Sequence, residues 1–148
     1  MSASGYLDID ALHQQLRRAC RHGATAARLL RYAPEVIDII APAAEHPDAD
    51  APKRALHTEA LINAGVERIG ADAGKALSIV LALTPAMRTK NLEARRSDAA
   101  HLLGLTSVET FRRDWHEGAL LFDLAMEIYR LQQAGPAPES FGAHDIAN

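Results

Sequence analysis

Apolar residues recur at spacings of three and four along most of this chain, the mark of amphipathic helices. Ile9, Leu12, Leu16 and Cys20 form the first stripe. Asp8 or Asp10 stands where an N-cap is needed, and Gly23 offers a left-handed stop after it. Arg17, Arg18 and Arg21 sit near the end of that helix, where cations complement its dipole. Thr25 predicts the cap of a short second helix over Ala26 to Arg31, and Pro34 opens a third that buries Val36, Ile37, Ile39 and Ile40. From Ala41 to Pro52 three prolines and several turn-forming residues, with no bulky apolar side chain, predict a loop.

A fourth helix is expected over Lys53 to Ile69, with Ile62, Val66 and Ile69 inward and Gly70 closing it. The fifth, Asp72 to Leu83, is apolar nearly all round and so belongs at the centre of the fold. Thr84-Pro85 stops it, and residues 86–91 read as an exposed basic connector. A sixth helix is expected over Leu92 to Leu103 and a seventh over Val108 to about His116. An eighth spans Ala119 to Gln133, its stripe formed by Leu121, Leu124, Ile128 and Leu131. Gly135-Pro136 ends the pattern, and residues 135–148 read as a disordered tail.

Composition agrees with an all-α bundle of about seven or eight helices. The chain has 29 Ala and 18 Leu against 19 Val, Ile and Thr together, and β-branched residues favour strands over helices. At 148 residues it has the size of one domain. The net charge of −3 gives no global basic excess, but the charge is unevenly distributed. Arg88, Lys90, Arg95, Arg96, Arg112 and Arg113 face only three acids in the window 88–113, while residues 114–148 hold Arg130 against six acids.

Several chemistries find no support in the residue pattern. Cys20 is the only cysteine, so no intramolecular disulfide forms, which suits a reducing cytoplasm. Met1 to Asp10 lacks the basic start and apolar run of a secretory signal, and the uncharged stretch Ala76 to Leu83 is too short to cross a bilayer. No two of the seven histidines lie three or four apart, so neither a metal site nor a cofactor is expected. Gly70-Ala-Asp-Ala-Gly74-Lys75 lacks the spacing and the hydroxyl of a phosphate loop. No nucleophile elbow or dinucleotide fingerprint occurs, and the chain reads as non-enzymatic.

The informative stretch is RRSDAAHLLGLTSVETFRRDWHE at 95–117. Ala99 and Ala100 are small enough for a second helix to cross closely. Gly104 can take a left-handed conformation that reverses the chain. Thr106 or Ser107 then caps a helix whose apolar face is Phe111 and Trp115, with Trp115 expected in the core or an interface. Arg112 and Arg113 lie beside that face.

This stretch resembles the helix-turn-helix of bacterial DNA-binding proteins. The resemblance implies that Val108 to His116 is a recognition helix, with Ser107, Glu109, Thr110, Arg112 and Arg113 facing the major groove. It implies that Arg88, Lys90, Arg95 and Arg96 contact the phosphate backbone. Phe111 comes seven residues after Gly104 where the usual pattern has six, so the turn is one residue longer. A wider pattern over residues 84–125 is similar to a winged-helix-like module of bacterial regulatory and conflict-associated proteins: Thr84, Pro85 and Arg88, then Leu92, Arg95 and Arg96, then Glu117, Leu120, Leu121, Leu124 and Ala125. The reading is a helical support or sensor at 1–83 and a helix-turn-helix-like unit with a closing helix at 84–134. Its expected partner is double-stranded DNA, or a protein partner if the unit serves as an adaptor. The Leu121/Leu124/Ile128/Leu131 stripe is expected as core, with a homodimer seam as the alternative.

Overall fold

The computed structural model describes residues 7–134, apart from the side chains of Asp114 and Trp115. The expected tail at 135–148 and the packing expected of Trp115 therefore lie outside what is described. Among the described residues there are eight α-helices and no strand, as the sequence leads one to expect.

Local side-chain caps start four of the eight helices. Asp8 caps α1 (Ile9–Ala19) by accepting from the Ala11 N–H at 3.0 Å. Asp50 caps α4 (Ala51–Ile69) through the Lys53 N–H, also at 3.0 Å. Asn91 caps α6 (Leu92–Leu102) through the Ala94 N–H at 2.8 Å. Helices α2 (Ala26–Tyr32), α3 (Pro34–Ile40) and α5 (Ala71–Val80) have no side-chain cap of their own, and in α2 a distant residue takes that role. Thr25 holds its N-cap position without a side-chain bond, and the distant Glu59 of α4 accepts from the Ala26 N–H at 2.9 Å instead. Pro34 opens α3 (Pro34–Ile40), and the loop beyond it contains one 3-10 turn, Ala43–Glu45.

The fifth helix is shorter than expected. α5 spans Ala71–Val80, and Leu81, Ala82 and Leu83 leave the helix while staying buried. Partners from elsewhere take the carbonyls of its last residue and of its C-cap, Leu81. The Ala24 N–H donates to Leu81 O at 2.8 Å, and the Arg95 guanidinium donates to Val80 O. The chain then turns through Ala82, whose φ is +55°. A second 3-10 turn, Pro85–Met87, leads into the connector.

Helix α8 (Ala119–Ala134) packs against α1 and α4, while α5 packs against α4 and α6. The close approach of α5 to α4 depends on Gly74, where an added Cβ would come 2.8 Å from Val66 O. Leu12 and Leu16 of α1, Ile62 of α4, Leu77 of α5, and Leu121, Leu124 and Ile128 of α8 are all fully buried in one core cluster. Each contributes roughly 1.5–3 kcal/mol through burial. This corrects the homodimer alternative. Leu121, Leu124 and Ile128 face the chain's own core, and Leu131 is half-buried, so the stripe presents no free seam to a second copy.

Candidate functional site

The turn after α6 has the geometry the sequence suggests. Gly104 takes φ +74°, its N–H donates to His101 O at 3.0 Å, and the Leu105 N–H donates to Ala100 O at 2.9 Å. These two bonds are a Schellman motif, in which glycine reverses the chain and satisfies the last carbonyls of a helix. Ser107 then caps α7 (Val108–Arg112), its Oγ accepting from the Thr110 N–H at 3.2 Å. Phe111 is fully buried and fixes α7 against the core.

α7 is shorter than the expected Val108 to His116. It ends at Arg112, because Arg113 is extended with ψ 155°. A π-helical stretch, Asp114–Gly118, follows and runs into α8. Tertiary bonds hold this stretch. Arg96 Nε and Nη2 donate to the two carboxylate oxygens of Glu117 at 2.8 and 3.0 Å, and His13 Nε2 lies 2.9 Å from Gly118 O.

The expected contact residues separate into two groups. Arg95 is 2% exposed and turned inward. Its Nη1 donates to Cys20 O at 2.9 Å and to Val80 O, its Nη2 to Arg21 O at 3.0 Å, and its Nε to Lys90 O at 3.0 Å. One guanidinium thus completes the carbonyl ends of α1 and α5 and pins the connector to both. Burial pulls its pKa below the ordinary value. Arg96 is engaged in the fork-to-fork pair with Glu117, whose side chain is only 6% exposed. Burial alone would lower the Arg96 pKa, but the hydrogen bond and charge of Glu117 outweigh it and the pKa is raised. In this structure neither guanidinium faces outward to meet a phosphate, contrary to the expectation for both.

The remaining seven lie at the surface or near it. Arg88 is exposed, and so is Lys90, whose Nζ pairs with Asp98 at 2.6 Å. Arg112 is exposed and pairs with Glu109 at 3.2 Å, one turn back on α7. Arg113, Ser107 and Glu109 are exposed and Thr110 is half-buried.

Two shallow depressions border the start of α8. One of about 390 Å³ is lined by Leu103, Leu105, His116, Ala119, Leu120 and Asp123. Another of about 300 Å³ shares Ala119 and Asp123 with it and adds His13, Arg17, Gly118 and Phe122. Among the described residues no three His, Cys, Asp or Glu side chains gather as a metal site would require, and no helix is long and apolar enough to cross a membrane.

No protein family, curated protein or solved structure matches the chain.

Proposed function

We propose that the chain is a small non-enzymatic DNA-binding regulator of the helix-turn-helix type, whose grip comes mainly from phosphate contacts. The observation that carries this reading is the turn itself. A Schellman motif at Gly104 and a Ser107 cap present α7 outward with Ser107, Thr110, Arg112 and Arg113 on or near its solvent side. α7 has five residues, and at about 1.5 Å rise per residue it faces roughly two base pairs. Sequence discrimination by such a helix is modest, and backbone charge carries most of the affinity.

The test is fluorescence anisotropy of a labelled duplex of about 20 base pairs, at about 50 and about 200 mM salt. Wild-type protein is expected to bind at low salt and to weaken steeply as salt rises. Arg112→Ala/Arg113→Ala is expected to lose most of that binding while keeping its circular dichroism. An unchanged double variant, or a wild-type protein that ignores duplex at low salt, overturns the reading.

The paired depressions at the start of α8, with Phe122 38% exposed beside them, favour a second reading as a helical adaptor for a protein partner. Cross-linking to one identified partner that is lost in Phe122→Ser, with no duplex binding by the wild type, is the outcome that reading requires.

A further inference from the structure

The fold assembles a basic surface from the neighbouring helices α1 and α2 and from the connector, which is far from both in the sequence. Between Ala11 and Pro34 there are five arginines and no acidic residue. Arg18, Arg21 and Arg31 are exposed, and Arg28 is half-buried. Arg28 Nη1 donates to His22 O at 3.2 Å, tying α2 to the end of α1. The His22 ring stacks on Tyr32 with centroids 3.8 Å apart, and the Arg31 guanidinium carbon lies 5.4 Å from the Tyr32 ring centroid. These contacts steady Arg28 and Arg31.

Arg95 then joins the connector to this surface. Arg21 O and Lys90 O both lie 3.0 Å from the same guanidinium. The exposed Arg88 and Lys90 therefore emerge beside the end of α1. Two acids close to this arrangement are engaged, while the exposed Glu35 and Glu93 lie at its margins at the starts of α3 and α6. Asp98 pairs with Lys90, and Glu59 accepts from the Ala26 N–H. Among the described residues Arg18, Arg21, Arg31 and Arg88 make no ion pair with a carboxylate.

We infer that the surface formed by Arg18, Arg21, Arg28, Arg31, Arg88 and Lys90 is a docking face for the sugar–phosphate backbone of duplex DNA. The inference rests on the DNA reading above and relocates its phosphate contacts from α6 to α1, α2 and the connector. Arginine suits this partner because its planar fork matches two phosphate oxygens at once. A lipid surface is disfavoured because Tyr32, the one large apolar side chain exposed on α2, is stacked against His22 rather than projecting alone.

The test compares wild type, Arg18→Gln/Arg21→Gln/Arg31→Gln, and Arg112→Ala/Arg113→Ala on several duplexes of about 20 base pairs, over about 50 to 200 mM salt. Removing one cation that neutralises a phosphate flattens the plot of log affinity against log salt by about 0.9. The triple variant is expected to lose about tenfold or more at low salt, equally on all duplexes, with the slope reduced by about 2 to 3. Its melting temperature is expected to match the wild type, since these side chains are exposed. An unchanged triple variant alongside a weakened Arg112/Arg113 variant overturns this inference and leaves the helix-turn-helix reading standing. The reverse result upholds the surface and removes the recognition helix. Wild-type protein that binds vesicles of one-third anionic lipid and no duplex overturns both.

Discussion

Arg95 brings a positive charge into the interior, and all four of its hydrogen bonds go to backbone carbonyls. Two of those carbonyls follow the end of α1, one ends α5 and one belongs to the connector, so removing the fork leaves two buried acceptors, Cys20 O and Val80 O, and two part-buried ones without this donor. Arg95→Met is expected to destabilise the protein by about 3 kcal/mol, because each buried unsatisfied acceptor costs about 1–3 kcal/mol and nearby water relieves only part. Arg95→Lys is expected to recover little of this, since a point ammonium cannot span carbonyls from three segments. Urea unfolding midpoints measure both, and a loss below about 1 kcal/mol for Arg95→Met refutes the keystone role. In sequence Arg95 and Arg96 look alike, a basic pair beside a turn. The distinguishing signal is spacing: Leu92, Arg95, Ala99 and Leu102 follow at three, four and three, so Arg95 occupies an apolar-stripe position of α6. What the sequence does not reveal is that the carbonyls awaiting it come from α1 and α5.

The caps at Asp8 and Ser107 were legible, while those at Asp50 and Asn91 were hidden because both residues sit in stretches that read as loop and connector. Helix ends set by distant partners were not legible. At the end of α5 Arg95 takes Val80 O and Ala24 takes the O of the C-cap Leu81, and α7 gives way to a π-helical stretch anchored by Arg96 and His13. The loop before α4 is tied down in the same long-range way. Arg54 Nη1 donates to Ala41 O at 3.1 Å, and the His46 and His57 rings lie 5.0 Å apart. Partial burial, and then the charge of His46, lower the His57 pKa from its ordinary 6.5. Between that ordinary value and the lower folded one, the unfolded chain binds more protons than the folded chain. Stability from His57 is therefore complete above about pH 6.5 and is lost as pH falls through the folded pKa. The melting temperature is expected to drop between about pH 7.5 and about pH 5.5, and His57→Gln is expected to make that drop smaller. Equal drops in the two proteins exclude His57 as a source of acid sensitivity.

At the scale of the whole molecule, charge and core were legible to different degrees. Averaged over the first 87 residues the charge is −1, which hides the acid-free stretch from Ala11 to Pro34; a shorter window reveals it, but only the fold brings it beside Arg88 and Lys90. The division into a support at 1–83 and a unit at 84–134 follows naturally from the break at Thr84-Pro85. Yet the buried apolar cluster runs through both segments, with Leu12 and Leu16 of α1 sharing it with Ala99, Phe111, Leu121 and Leu124. A chain of this size with one such core unfolds in a single cooperative step. Two local probes sit on opposite sides of the break. Trp115 is the chain's only tryptophan. Cys20 is fully buried, and burial pushes its thiol pKa up to about 12, so it stays protonated and inert to thiol reagents in the native state. Trp115 fluorescence, Cys20 labelling and far-UV circular dichroism are therefore expected to report the same denaturant midpoint. If Trp115 fluorescence changes at lower denaturant than Cys20 becomes labelled, residues 84–134 open as a separate unit, and the core packing between α1 and α8 contributes less than its burial implies.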